Sequence, residues 1–181
     1  MRTIIVKELM IPIDEYATVP EGATMYEAIL ALEIAQKAFE PSKHKHRAIL
    51  VLDRDKNVVG KISMFDILIA LEPKYENLDD IEGYSLEFIK SILKDSALWN
   101  EPLELVCDRA RNLKVSDFME VLSDGVYIGE NDTLGKAIHQ LVISRYHSLL
   151  VTRDKKVVGV LRLSDVFTQL CDKIKNKTCK P

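Results

Sequence analysis

The chain contains two copies of one sequence pattern. The segment Val6–Met10 (VKELM) returns as Val115–Met119 (VSDFM), and Glu21–Met25 (EGATM) returns as Glu130–Leu134 (ENDTL), both at an offset of 109 residues. Repetition at this scale predicts two copies of one supersecondary unit, because each unit buries its apolar surface against its neighbour. Function is therefore expected where the two copies meet.

Length and charge limit the class of protein. At 181 residues, 47% hydrophobic and 29% charged, the chain can bury one good core or two small ones. The formal net charge of −3 argues against sequence-independent binding of nucleic acid, which needs a basic face to neutralise phosphates. We therefore expect a globular protein that does not bind nucleic acid.

Cysteine usage and hydropathy suggest a cytoplasmic location. The three cysteines form no C-x-x-C pair, so neither a disulfide framework nor a zinc knuckle is predicted. The first residues, MRTIIVKELM, lack the apolar core of a signal peptide, and no apolar run approaches the roughly 20 residues that span a bilayer. We expect a reducing compartment, no direct insertion into a membrane and no metal site.

Each copy predicts the order β-α-β-β-α. In the first copy, Thr24 and Glu27 have the spacing of a capping box that opens a helix, and Ser63 caps a second helix. The polar turn Asp53–Asn57 joins two apolar runs into a hairpin. The predicted strands are Ala17–Val19, Arg47–Leu52 and Val58–Ile62.

The second copy follows the same order, with a shorter connection between its first helix and its next strand. Its helix is predicted from Leu134 to Ser144 and its next strand over His147–Thr152. The offset falls from 109 to 100 between helix and strand, so the first copy carries nine extra residues around Phe39–Lys45. An insertion of this length is predicted to be a loop, since loops grow at little cost in free energy.

A linker separates the copies. We predict repeat 1 at residues 1–71, a mainly helical linker at 72–114, repeat 2 at 115–173 and a basic tail at 174–181. Within the linker, Ser85–Trp99 has an amphipathic pattern, and Pro102–Asn112 predicts a short helix that carries Leu103, Leu105 and Val106. Two interpretations remain open: the linker packs against one repeat, or it contacts a partner or a second copy of the chain.

These landmarks resemble a known family. The tandem arrangement, with Gly60–Asp66 (GKISMFD) and Gly159–Asp165 (GVLRLSD) each opening a helix, resembles the cystathionine β-synthase (CBS) domain pair, also called a Bateman module. The resemblance implies an α/β (α+β) fold of two β-α-β-β-α repeats related by pseudo-twofold symmetry. It also implies two clefts for adenosyl ligands, namely AMP, ADP, ATP or S-adenosylmethionine, and a homodimer that forms a disc of four repeats.

The residues of the first motif suit an adenosine. Asp66 is a carboxylate at a helix start that can accept hydrogen bonds from both ribose hydroxyls. The Ser63 hydroxyl and nearby backbone N–H groups can face ribose oxygens or a phosphate at the positive helix end. The alternative is that the two residues only cap the helix. We call the cleft beside Ser63 and Asp66 the primary cleft.

The second motif departs from the pattern, since Arg162 stands where the hydroxyl residue is expected. Arginine does not cap a helix as serine does, and its long cation would occupy the cleft beside Asp165. We call this the secondary cleft. Either an internal ion pair closes it, which we favour, or it takes a different ligand.

The resemblance assigns further residues to the clefts. Basic residues at the start of each hairpin are implied to reach phosphates, and apolar positions before each first helix are implied to hold the adenine. For the primary cleft these are Arg47, His147, Ile62, Val121 and Val126; for the secondary cleft they are His46, Ile11, Pro12 and Ala17.

Catalysis has no support in the sequence. No nucleophile, base and orienting residue occur at suggestive spacing, and neither a Gly-x-Gly-x-x-Gly motif nor a P-loop is present. We expect a non-enzymatic regulatory protein that requires no cofactor and senses an adenosine nucleotide or S-adenosylmethionine, as in energy sensing, for an effector protein that the sequence does not identify. The alternative is a ligand-free interaction module whose clefts are filled by Arg162 and the loop of His44 and His46.

Overall fold

The computed structural model describes residues 3–38, 45–71 and 103–178. The helix predicted over Ser85–Trp99, the acidic segment that begins at Glu72 and most of the predicted loop around Phe39–Lys45 lie outside these ranges. The chain folds as an α/β protein with two four-stranded sheets.

Repeat 1 forms the predicted helices and hairpin. The Thr24–Glu27 capping box forms, with the Thr24 backbone N–H donating to Glu27 Oε2 over 2.7 Å and the Glu27 N–H donating to Thr24 Oγ1 over 3.2 Å. These bonds satisfy N–H groups that a helix start otherwise leaves without a partner. The elements are β1 (Ile11–Pro12), β2 (Thr18–Pro20), α1 (Met25–Ala38), β3 (Ala48–Leu52), β4 (Val58–Ser63) and α2 (Met64–Leu71).

Repeat 2 follows the same order. Thr133 caps its first helix by accepting a hydrogen bond from the Lys136 backbone N–H over 3.2 Å. The linker contributes one described helix, α3 (Leu103–Asn112), and the second repeat contributes β5 (Glu120–Val121), β6 (Tyr127–Gly129), α4 (Leu134–Ser144), β7 (Ser148–Arg153), β8 (Lys156–Arg162) and α5 (Leu163–Thr178). Since α5 continues through Thr178, part of the predicted basic tail is helical.

The two repeats exchange their first strands. One sheet has the order β2-β3-β4-β5 and the other β1-β8-β7-β6, so each contains an edge strand from the other repeat. The segments before these strands are exchanged as well. Val6 is fully buried in the apolar core of repeat 2, and Val115 is fully buried in that of repeat 1. Burial of one valine contributes roughly 1.5–3 kcal/mol, so the exchange links the two repeats.

A third core lies between the sheets. Its buried members are Ile11, Tyr16, Leu50, Val126, Leu150 and Val160. Leu50 and Leu150 come from the middle of β3 and β7, whose neighbouring residues face the helices instead. This alternation follows from the two-residue period of a strand and places one face of each sheet against the other repeat.

The described linker helix packs on repeat 1. Ala110 is buried and Val106 partly buried in the core of that repeat, and the Arg109 guanidinium donates to the Leu71 carbonyl oxygen. Leu103 and Leu105, which this helix also carries, are 76% and 51% exposed, because α1 and α2 cover a different face of α3. In the ranges described, no helix combines the length and apolar character needed to cross a bilayer.

Candidate functional site

The two motifs occupy equivalent places in the two sheets. Ser63 ends β4 opposite Ala48, and Arg162 ends β8 opposite Ser148. The Met64 N–H donates to the Arg47 carbonyl over 2.9 Å, just as the Leu163 N–H donates to the His147 carbonyl over 2.9 Å. In each repeat, the helix after the hairpin therefore begins beside the residue that immediately precedes the hairpin.

Ser63 and Asp66 form a capping box. The Ser63 backbone N–H donates to Asp66 Oδ2 over 2.6 Å, and the Asp66 N–H donates to Ser63 Oγ over 3.2 Å. Both residues are half-buried, and within the described ranges the second carboxylate oxygen, Oδ1, accepts no hydrogen bond. The capping role is therefore compatible with a ligand at the other oxygen.

Arg162 and Asp165 form a bidentate ion pair. Arg162 Nε lies 2.5 Å from Asp165 Oδ2, and Nη2 lies 2.8 Å from Oδ1, so both carboxylate oxygens are engaged. The side chains are only 6% and 16% exposed. The internal ion pair favoured from the sequence is thus present, and it engages both oxygens of the Asp165 carboxylate.

Aromatic side chains fill the space beside this ion pair. The rings of Tyr16 and His46 are 4.5 Å apart between centroids and meet edge to face, and His46 is fully buried. Burial, followed by the nearby Arg162 charge, lowers the pKa of His46 below its usual 6.5. Burial raises the pKa of Tyr16 to about 12. The ring of His46 is therefore favoured in its neutral form, which suits a site that already contains a guanidinium.

A charged pair occupies the corresponding place beside the primary cleft. Lys61 Nζ lies 3.0 Å from Glu120 Oε2 and 5.5 Å from the centroid of the Tyr146 ring. The Tyr146 hydroxyl shares a hydrogen bond of 2.8 Å with Ser123 Oγ. The sequence-based prediction missed this cluster. The alignment of the two copies could have revealed it, because the charged Lys61 aligns with Val160 and the charged Glu120 aligns with Ile11.

The other predicted residues lie at different depths. Ile62 and Ala17 are buried in the core of repeat 1, and Val126 and Ile11 are buried between the sheets, so these four pack against other apolar side chains. Arg47 and His147 are exposed, Val121 is 77% exposed and Pro12 is half-buried opposite Gly159. Arg47 lies beside Ser63, and His147 lies beside Arg162. His46 is close enough to Arg162 and Asp165 for both charges to affect its pKa.

The described residues offer no metal centre. Across the described ranges, no three His, Cys, Asp or Glu side chains are arranged to hold a metal ion. The arrangement instead presents a helix start, a carboxylate and an exposed guanidinium in one repeat, which are groups that bind ribose and phosphate.

Solved structures share this architecture. A CBS domain-containing protein from Bacillus anthracis has 23% identity and a TM-score of 0.61, with coverage of 94% of both chains. The CBS-pair protein CBSX2 from Arabidopsis thaliana has 16% identity and a TM-score of 0.60, with coverage of 97% of this chain and 99% of that one. CBSX2 in complex with AMP has 18% identity and a TM-score of 0.59, with coverage of 93% and 97%.

The sequence itself matches a family model. No curated protein matches the chain. The model of the CBS domain matches twice, at residues 6–73 and 115–172, which together make up more than half of the chain. Those two regions carry the exchanged strands, the capped helices and both motifs, and the chain therefore belongs to the CBS domain family, as a tandem CBS pair.

Proposed function

We propose that this chain is a stand-alone regulatory protein that binds one adenosyl ligand in its primary cleft and signals the occupancy to a partner protein. The observation that carries the proposal is the inequality of the two motifs. Asp66 has a half-buried carboxylate with one oxygen available, whereas both oxygens of Asp165 are held by Arg162. One site per chain follows from this difference.

The chemistry of the primary cleft supports an adenosyl ligand. Asp66 accepts hydrogen bonds from the ribose hydroxyls, the start of α2 favours a negative group, and the exposed Arg47 beside Ser63 reaches phosphates. AMP, ADP, ATP and S-adenosylmethionine share the ribose and adenine that these groups would recognise. The AMP complex of CBSX2, a protein of the same fold, supports this class of ligand.

Signalling, not catalysis, is the proposed output. The primary cleft borders the contact between the repeats, so a ligand there favours one relative arrangement of them. It shifts that equilibrium only by its difference in affinity for the two arrangements. We propose that a partner protein in the cytoplasm reads this shift, and that no chemical step occurs on the ligand.

Thermal unfolding tests the proposal. At about 100 times its dissociation constant, a ligand adds about 2.7 kcal/mol of stability, which raises the midpoint of a domain of this size by roughly 5–10 °C. We expect at least one of AMP, ADP, ATP and S-adenosylmethionine to produce such a shift, and Asp66→Ala to remove it.

A matched variant controls for the loss of the helix cap. Glu27→Ala removes the equivalent capping contact from α1, away from either motif. This variant should lose a comparable amount of stability and keep the full response to ligand. A response that survives Asp66→Ala, or is lost equally in Glu27→Ala, contradicts the assignment.

The alternative is a ligand-free interaction module. The observation that favours it is the secondary cleft, where an ion pair and two aromatic rings already occupy the space. If no adenosyl compound in the panel shifts the unfolding midpoint, the sensor is excluded and the interaction module stands.

We also propose that the chain forms a homodimer through its helical faces. The two repeats expose apolar side chains at equivalent positions, with Ile34 67% and Ile143 69% exposed, and Leu68 and Phe167 each 62% exposed. Two equivalent apolar faces on one chain suit a second copy, because a twofold axis then pairs both faces at once and closes the assembly.

Sedimentation tests the dimer. Phe167→Glu places a charge in the centre of this face and should convert a dimer into the 20.6 kDa monomer, without loss of folding at so exposed a position. Leu105→Glu is the control, since Leu105 is 51% exposed on α3, outside the proposed face. A monomeric unaltered chain, or equal dissociation of the two variants, contradicts the proposal.

A further inference from the structure

Lys61 and Glu120 form a charged pair where the other repeat has an apolar one. The two residues are cross-strand partners in β4 and β5, and the Lys61 side chain is only 8% exposed. At the equivalent place, Val160 of β8 faces Ile11 of β1, and both are buried in the core between the sheets.

The fold does not require these charges. Lys61 is buried but Glu120 is 38% exposed, and the cost of removing the ammonium from water offsets much of its attraction to the carboxylate. The chain itself demonstrates the apolar solution at Ile11 and Val160. A charged pair in the equivalent place is therefore better explained by recognition than by stability.

Lys61 lies on the same face of β4 as Ser63, the residue of this strand that belongs to the primary cleft. Ser63 is opposite Ala48 and Lys61 is opposite Leu50, which belongs to the core between the sheets. Two residues along a strand span about 7 Å, comparable with the distance from a ribose to the far edge of its base. Arg47, the proposed phosphate contact, is exposed, so a nucleotide held by both Arg47 and Ser63 would direct its base towards the buried Lys61 and the half-buried Tyr146.

We infer that Lys61 and Glu120 read the edge of the adenine base, an inference that rests on the proposed adenosyl site. The Lys61 ammonium only donates hydrogen bonds and the ionised Glu120 carboxylate only accepts them. Adenine has an amino group, which donates hydrogen bonds, next to a ring nitrogen, which accepts them. The amino group therefore donates to the Glu120 carboxylate, and the Lys61 ammonium donates to the ring nitrogen. The Tyr146 ring near Lys61 Nζ holds the ammonium in place.

A 6-oxo base does not fit this pair. Hypoxanthine places a carbonyl oxygen where adenine has its amino group, so two oxygens face each other at Glu120. With the ribose held by Asp66, the base cannot turn over to exchange the two groups. The pair therefore selects AMP against IMP, and ATP against ITP, although each pair of nucleotides has the same ribose and phosphates.

Calorimetric titration of the full chain with AMP and IMP tests this reading. We expect the unaltered chain to bind AMP at least tenfold more tightly than IMP. The double variant Lys61→Val with Glu120→Ile imports the apolar pair of the other repeat, so it should fold with an equal or higher unfolding midpoint. Its ratio of AMP to IMP affinity should fall to within about threefold of unity, with AMP binding still sensitive to Asp66→Ala.

The single variant Glu120→Gln keeps the test informative if the double variant does not fold. The amide can turn to donate to the carbonyl of hypoxanthine, so IMP should gain affinity relative to AMP. An unchanged ratio of AMP to IMP affinity in the folded variants overturns the inference that Lys61 and Glu120 contact the base, but it does not contradict the adenosyl site. Equal loss of AMP and IMP binding also overturns that inference, since that places Lys61 at the phosphates. Absence of AMP and IMP binding to the unaltered chain overturns the selection of AMP against IMP, whereas absence of a thermal response to all four adenosyl compounds overturns the adenosyl site itself.

Discussion

Replacement of Asp165 by alanine is expected to lower the free energy of unfolding by about 3–5 kcal/mol, because a buried guanidinium loses its counter-ion. Arg162 is 6% exposed and contacts both oxygens of Asp165 at 2.5 and 2.8 Å. His46 in its neutral form cannot replace that negative charge. Unfolding in urea, followed at constant pH, measures the loss.

The same substitution in the other repeat is the control. Asp66 occupies the equivalent position, but without ligand its contacts in the described residues are those of a helix cap, so Asp66→Ala should cost about 0.5–2 kcal/mol in the absence of ligand. The difference between the two variants isolates the buried ion pair from the cap. Equal costs would mean that the other contacts of Arg162 compensate for the loss of Asp165, and the secondary cleft would then not depend on this pair.

The repeat, the capping boxes and the hairpins could be predicted because their signals are local. Thr24 and Glu27, or Ser63 and Asp66, are three residues apart, and the hydrogen bonds between them do not depend on the rest of the fold. The ion pair of Arg162 and Asp165 has the same spacing along the chain. These features needed only the sequence and the alignment of its two copies.

The exchanged strands could not be predicted in the same way. β1 and β5 are two residues long, too short to show a period, and each pairs with the sheet of the other repeat. Their position depends on contacts between distant parts of the chain, such as that of Ile11 with Val160. Once β5 lies beside β4, Glu120 faces Lys61, and a lysine that suggests an exposed position becomes buried.

The depth of the predicted site residues also depended on tertiary packing. His46 follows a basic run that suggests a solvated loop, yet it is fully buried against Tyr16. The sequence shows no direct sign of this contact, since the two residues are 30 positions apart and pair through side chains alone. Residue type alone therefore does not predict which of the cleft residues are accessible.

Gly159→Ala is expected to destabilise the contact between the repeats by about 1–3 kcal/mol, the usual cost of overpacking. A Cβ atom at Gly159 would lie 2.6 Å from the Ile11 carbonyl oxygen and 3.0 Å from Met10 Sδ. The oxygen belongs to the backbone of the exchanged strand β1, so the strand itself must move away from β8. Hydrogen exchange should accelerate at the amides of β1 and β8 before global unfolding.

Gly60→Ala makes the same change at the equivalent position and should cost less. There the three atoms nearest the added Cβ would belong to the Met119 side chain, which can turn aside because it has three rotatable bonds. Exchange in β4 and β5 should therefore stay close to that of the unaltered chain. Similar acceleration in both variants would contradict this prediction, because it would mean that the clash with the Met119 side chain displaces β5 as much as the clash with the Ile11 backbone displaces β1.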